Sequence, residues 1–196
     1  MIVRDYMGGK LITVSPETDV KSAFESLKKF KIRQFPVVSN GKLVGIVTDQ
    51  DLRVAITRPE SKVEDIMASD PLTIADEIPL EKAALLLREN EVNALPVVSK
   101  ENEVIGIITV TDVLDALIHL LRFKEKPTKL NVEIPERSDM KIYDVMMMVQ
   151  EVGPKVLSVN SDKRNKKLYY IWLEKCNISN ISKIKNMLKK RGIRIL

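Results

Sequence analysis

A displacement of sixty residues lays much of the first 120 residues of this chain on itself. Asp5-Tyr6-Met7 falls on Asp65-Ile66-Met67, Thr13 on Thr73, and Pro36-Val37-Val38-Ser39 on Pro96-Val97-Val98-Ser99. Beyond that match the offset becomes sixty-one, because the turn Asn40-Gly41-Lys42 is answered by the longer Lys100-Glu101-Asn102-Glu103. The stretch Gly45 to Asp51, GIVTDQD, then returns as Gly106 to Asp112, GIITVTD. Length changes of this kind belong in turns. A unit of about 60 residues buries too little surface to stand comfortably alone, so the two copies are expected to pack sheet against sheet.

Hydrophobic spacing gives each copy the same plan. Val20, Ala23, Phe24, Leu27 and Phe30 recur at helical spacing behind Asp19, a suitable N-cap. Phe35 to Val38 and Leu43 to Val47 read as two strands joined through Asn40-Gly41, a strong two-residue hairpin signal, and a second helix starts near Asp49. In the second copy Leu80, Ala83, Ala84 and Leu87 mark a helix, Leu95 to Val98 and Val104 to Ile108 two strands, and Val110 to about Leu121 a last helix. Each copy reads as β-α-β-β-α.

After Lys124-Glu125-Lys126-Pro127 the pattern changes. Leu130–Ile134, Lys155–Val159, Leu168–Leu173 and Ile193–Leu196 read as strands, and Met140–Gln150 and Ile181–Lys190 as helices, the latter closed by Gly192 after three basic residues. The order βαββαβ is that of a split βαβ, ferredoxin-like domain. The expected organisation is thus two repeats at 1–60 and 61–123, a linker at 124–128 and a third domain at 129–196, with an α/β fold of the α+β kind. Charge divides along the same line: residues 1–123 carry a net −4 and residues 124–196 a net +9.

Composition narrows the function. Apolar residues make up 44% of the 196, enough for a real core, yet no run approaches the roughly 20 needed to span a membrane. The start lacks a signal peptide's hydrophobic region, so a cytoplasmic location is expected. One Cys and one His build neither a disulfide nor a zinc site of the usual spacing, so no metal site is expected. There is no nucleophile and base pair and no phosphate-cradling Gly loop, so no catalytic residue is assigned and the chain is read as a non-enzyme. Lys183 to Arg191 is basic, but Ile181, Ile184 and Leu188 give that helix an ordinary buried stripe and its lysines a solvated face, with no DNA or RNA motif beside them.

The duplicated Thr-x-x-Asp has two readings. It is a capping box, in which Thr and the acid satisfy helix donors, and it is a pair of polar groups suited to a ligand. Asp5 and Asp65 read as caps of a short helical turn.

The repeats resemble CBS domains, named for cystathionine β-synthase, arranged as a tandem pair (a Bateman module) over residues 1–121. The resemblance rests on the two Asp-x-Met runs, on Arg33-Gln34-Phe35-Pro36-Val37-Val38 and Asn93-Ala94-Leu95-Pro96-Val97-Val98, and on the two Gly-x-x-Thr-x-x-Asp runs. By element order residues 129–196 resemble an ACT domain, and the combination resembles regulatory proteins of the acetoin-utilisation type. The CBS resemblance implies an adenine nucleotide or S-adenosylmethionine bound as a regulatory ligand between the repeats, with the Asp on the ribose hydroxyls. One site would take Thr48, Gln50, Asp51 and Arg33 with Leu72, Val92 and Asn93. The other would take Thr109, Thr111 and Asp112 with Ile12, Ile32 and Gln34. Arg33, answered by Asn93 in the second repeat, makes the Thr48 and Asp51 site the expected one for a phosphorylated ligand.

The apolar run Val113, Leu114, Leu117, Ile118, Leu120 and Leu121 points to a homodimer, and the family pairs through such helices. ACT domains commonly bind amino acids through a Gly after the first strand, and here Pro135 to Asp139 contains none. The reading is an allosteric sensor that passes ligand occupancy to its ACT-like domain or to a regulated partner protein. The alternatives are a ligand-free dimerisation or interaction module, and a basic tail that binds nucleic acid or an acidic partner.

Overall fold

Helix α1 (Val20–Phe30) begins where its cap dictates: the Asp19 carboxylate accepts the Ser22 N–H at 2.9 Å, and Val20, Ala23, Phe24 and Leu27 are buried. The computed structural model describes residues 1–8, 11–58 and 60–196. They form two compact units, Met1–Asp115 and Ala116–Leu196, with α4 (Val110–Leu120) running across the boundary.

In the first unit α1 is followed by the hairpin β1 (Gln34–Ser39) and β2 (Lys42–Thr48) and by α2 (Asp49–Ala55). Ser39 pairs with Lys42, and the turn residues Asn40 and Gly41 both have positive φ, 49° and 79°. That is the two-residue turn whose twist matches the strands it joins. The second repeat runs β3 (Ala68–Ser69), β4 (Ile74–Ala75), α3 (Leu80–Glu89), β5 (Ala94–Val98), β6 (Val104–Thr109) and α4. Its hairpin carries the same irregularity, between Val97 and Val98, that the first carries between Val37 and Val38.

The repeats differ at the strand expected before each first helix. In the second, β4 pairs in parallel with β5, whereas in the first the strand shrinks to one bridge, Val14 to Val37. Pro16, which has no N–H and a fixed φ, stands two residues beyond that bridge where the second repeat has Asp76. Asp5 and Asp65 close short 3₁₀ turns, accepting the N–H of Ile2 at 3.5 Å and of Lys62 at 2.8 Å.

Those turns tie the repeats together, because each packs on the other copy. Val63 N–H donates to Thr18 O at 2.9 Å and Val3 N–H to Ile78 O at 3.0 Å. Val63, Ile66 and Met67 join the core built by α1, β1, β2 and α2, and β3 extends the β1-β2 sheet along β2. At the matching edge of β6, Gly8 N–H donates to Ile107 O at 3.0 Å. The two Met residues of the Asp-x-Met runs then explain the two glycines. A Cβ on Gly106 would lie 2.5 Å from Met7 Sδ, and one on Gly45 2.6 Å from Met67 Sδ and 3.0 Å from the Ala68 carbonyl oxygen.

The second unit has the element order β7 (Thr128–Glu133), α5 (Ile142–Glu151), β8 (Val156–Ser161), β9 (Leu168–Leu173), α6 (Ile178–Lys190) and β10 (Arg194–Ile195). Its sheet has the order β10-β7-β9-β8 with all neighbours antiparallel. Leu130, Val132, Ile171 and Leu173 point to one face, where Val145 and Val149 of α5 and Ile184 and Leu188 of α6 bury them. Helix α6 starts three residues before the expected Ile181, because Asn177 accepts the Asn180 N–H at 2.8 Å and caps it there. Ile178 is 84% exposed, so hydrophobic spacing gives no sign of that first turn. Gly192, at φ 74°, ends the helix by donating to Lys189 O while Ile193 N–H donates to Leu188 O. Of the Met146 to Met148 run, Met148 packs against this core and Met147 is exposed.

Two outcomes are expected. Gly106→Ala lowers the melting temperature by an overpacking cost of about 1–3 kcal/mol, and Met7→Ala in the same chain offsets part of it, so a double-mutant cycle reads a favourable coupling. Gly45→Ala shows weaker rescue by Met67→Ala, because the Ala68 carbonyl remains. The second outcome concerns Arg4, which reaches across the repeats to Asp76 at 2.7 Å and holds that carboxyl below the usual range through its hydrogen bond and charge. The folded state therefore binds that proton less readily than the unfolded chain. This contribution is complete above the unfolded carboxylate's range and fades as pH falls through the depressed folded value. Asp76→Asn should flatten the acid limb of a stability-against-pH curve, read by urea melts.

Candidate functional site

Each Thr-x-x-Asp stands where the second strand of a hairpin turns into a helix. At the end of β2, Asp51 Oδ2 accepts both the Thr48 N–H at 2.9 Å and the Thr48 hydroxyl at 2.6 Å, and Asp51 N–H returns to Thr48 Oγ1 at 3.3 Å. At the end of β6 the same three bonds measure 2.7, 2.6 and 3.2 Å between Thr109 and Asp112. Both motifs are capping boxes. The cap does not use up the carboxylate, however. Among the described residues every bond to these two groups falls on Oδ2, which leaves each Oδ1 as an acceptor, as a diol needs.

Two cavities lie against these junctions. The first, about 410 Å³, has Ile12, Lys31, Ile32, Arg33, Gln34 and Pro36 on one side and Asn93, Ala94, Ile107, Thr109, Val110 and Thr111 on the other. The second, about 320 Å³, takes Ile46 and Thr48 with Gln34 from the first repeat, and Leu72, Glu91, Val92, Asn93, Ala94 and Pro96 from the second, with Ala68 to Pro71 along one edge. Both volumes fall in the range of roughly 300–1,000 Å³ usual for small-ligand pockets. The sixty-residue displacement maps Ile12, Lys31, Ile32 and Arg33 of one onto Leu72, Glu91, Val92 and Asn93 of the other, so the clefts are two versions of one site.

The structure brings Thr109, Thr111, Ile12, Ile32 and Gln34 into the first cavity and Thr48, Leu72, Val92 and Asn93 into the second. Asp51 and Asp112 are not among the lining residues but are bonded to the threonines that are, and Gln50 is exposed and lines neither cavity. Arg33 is placed differently from its expected grouping with Thr48: it lines the Thr109 cavity beside Lys31. The reason is local. Residues 31–33 leave α1 through Lys31, at φ 56°, and enter β1 beside the start of α2, where Asp49 N–H donates to Arg33 O at 2.8 Å, so Arg33 sits next to Thr48 along the backbone and yet borders the other cavity. Of the two cavities it is thus the Thr109 one, and not the expected Thr48 one, that Arg33 borders.

Residues the sequence did not offer as candidates include Lys31, Ala94 and Ile107 in the first cleft and Ile46, Asp70 and Glu91 in the second. Applying the sixty-residue offset to Lys31 would have exposed the contrast with Glu91. Gln34 and Asn93 belong to both walls, and Gln34 Nε2 is buried with no hydrogen-bond partner. An unsatisfied buried donor costs about 1–3 kcal/mol. Among the described residues no group of His, Cys, Asp and Glu could hold a metal ion, and no helix is long and apolar enough to cross a membrane.

A duplicated unit with interlocked repeats and a cleft on each side of the pseudo-symmetric pair defines a tandem module with two equivalent candidate sites. The chain belongs to the CBS-domain family, whose model matches residues 3–58 and 63–119. A CBS domain-containing protein of Dictyostelium discoideum is 38% identical over 136 residues, 62% of this chain and 94% of that protein. An inosine-5'-monophosphate dehydrogenase of Korarchaeum cryptofilum is 36% identical over 131 residues, but the match spans only 26% of the dehydrogenase. Among solved structures, CBSX2 in complex with AMP is 34% identical with a TM-score of 0.56 over 61% of this chain and 97% of that one. The CBS domain pair of protein MJ0100 in complex with 5'-methylthioadenosine and S-adenosyl-L-methionine is 28% identical, TM-score 0.56, over 60% and 95%. A putative acetoin utilization protein from Vibrio cholerae is 29% identical, TM-score 0.58, over 64% and 96%.

Removal of either cap tests the local part of this account. Thr48→Ala and Thr109→Ala are each expected to cost about 1 kcal/mol in urea unfolding, the ordinary loss of an N-cap.

Proposed function

We propose that this protein is a non-enzymatic regulatory sensor that binds an adenosine-containing ligand in the clefts of its CBS pair. The observation that carries the reading is the pair of cavities that set Thr109 and Thr48, each bonded to a carboxylate with a free oxygen, opposite Ile12 with Ile32 and Leu72 with Val92. Apolar side chains suit the faces of an adenine, and a carboxylate oxygen suits ribose hydroxyls. The AMP held by CBSX2 and the adenosyl ligands held by the MJ0100 pair support this choice of ligand class.

The second unit, whose βαββαβ order and β10-β7-β9-β8 sheet agree with a ferredoxin-like, ACT-like domain at 129–196, serves as the output. It needs no amino acid, since Pro135 to Asp139 lacks a glycine and closes instead through Ser138 N–H to Pro135 O. Ligand favours one arrangement of the repeats through differential affinity, and the segment at 124–128 relays it to the tail or to a partner protein. The protein works in the cytoplasm as a homodimer through α4, where Leu114, Leu117 and Leu120 are 53%, 47% and 53% exposed.

Calorimetric titration of the full chain with AMP, ATP and S-adenosylmethionine tests the reading. Saturable binding that Asp112→Ala or Asp51→Ala weakens at least about tenfold is expected, the loss of a charge-assisted hydrogen bond. Absence of heat, with an unchanged melting temperature, would return both motifs to caps alone. Leu114→Glu with Leu117→Glu should convert a dimer to a monomer in sedimentation velocity.

A further inference from the structure

The two clefts are built from equivalent positions, yet their charges have diverged in opposite directions. The Thr109 cleft carries Lys31 and Arg33 in its wall, whereas the Thr48 cleft carries Glu91 and Asp70. Lys31 and Glu91 are the same position in the two repeats, and both hold a left-handed backbone, φ 56° and 54°. Arg33 and Asn93 are likewise equivalent. Among the described residues none of Lys31, Arg33, Glu91 and Asp70 forms an ion pair.

The difference continues outside the clefts. Lys31, Ile32 and Arg33 also border a hollow with Lys28 and Arg53, where the only acid, Asp49, is paired to Arg53 at 2.7 Å. The equivalent hollow around Glu91, Val92 and Asn93 has one cation, Arg88, against Glu91. A phosphate entering the Thr109 cleft thus meets two unpaired cations and a positive approach, and at the Thr48 cleft two unpaired carboxylates repel it.

Resting on the reading that the clefts bind adenosyl ligands, we infer that they take different classes. The Thr109 cleft takes an anionic adenine nucleotide, and the Thr48 cleft takes an adenosyl compound that carries positive charge and no phosphate. The module then reports two ligands at once. The like-charge penalty in each cleft excludes the other's ligand, so selection rests on repulsion as well as on fit.

The test is isothermal titration of the full chain with AMP and with S-adenosylmethionine, each alone and each with the other saturating. One site for each, without competition, is expected. Lys31→Glu with Arg33→Asn should weaken AMP at least about tenfold, the loss of contacts from charged donors, and leave S-adenosylmethionine unchanged. Glu91→Lys, at a position that lines the Thr48 cleft and not the Thr109 cleft, should weaken S-adenosylmethionine, leave the first AMP site unchanged and create a second AMP site. Lys31, Arg33 and Glu91 are exposed, and position 91 already holds an acid in the backbone conformation of Lys31, so these exchanges leave the core intact. Competition of the two ligands for one cleft, or AMP binding indifferent to Lys31→Glu with Arg33→Asn, would overturn the inference while leaving adenosyl binding standing. No binding of either ligand to the wild-type chain would overturn both.

Discussion

The fold of the first unit depends on an exchange of short segments between its repeats. Residues 61–69 complete the first repeat and residues 2–8 the second, each through a 3₁₀ turn with a fully buried valine, Val63 or Val3, and a methionine laid on a glycine of the other copy's hairpin. Neither copy has its whole core without a piece of the other. That answers the size constraint on a unit of about 60 residues, which cannot bury enough surface by itself. It also sets where the clefts lie, since both are lined from both copies.

Duplication with exchange gives two clefts from one set of instructions, and point changes then distinguish them. Both keep the parts that folding requires: the strand end, the capping box and an apolar residue from the other repeat. The residues that differ, Lys31 against Glu91 and Arg33 against Asn93, lie outside the core and cost the scaffold nothing. The two clefts can therefore differ in charge while the frame is shared, with Gln34 and Asn93 common to both walls.

The second unit follows a different logic, with one antiparallel sheet covered on one face by two helices. On the opposite side Phe123 meets Trp172 edge-on at 4.8 Å between ring centres, and Lys129 lies over the rings of Tyr170 and Trp172. The basic surface of α6 is the solvated side of a helix whose Ile184 and Leu188 are buried. Its lysines need no nucleic acid to account for them.

The sequence by itself determined the duplication, the element order of both units, the Asn40-Gly41 turn, the Asp19 and Gly192 caps and the positions of both Thr-x-x-Asp motifs, because each is a local pattern or a repeat. It missed the start of α6, whose first turn has an exposed isoleucine, and it gave the first repeat a leading strand that Pro16 reduces to a bridge. Only the tertiary structure decided why Gly45 and Gly106 are glycines and which cleft each charge enters. Those facts depend on the partner repeat, some sixty residues away in the chain. Arg33 looks like a companion of Thr48 because both belong to the first repeat. In the fold Arg33 stays next to Thr48 along the backbone, its carbonyl accepting Asp49 N–H, yet it borders the cleft of Thr109 with Lys31, because each cleft is lined from both repeats.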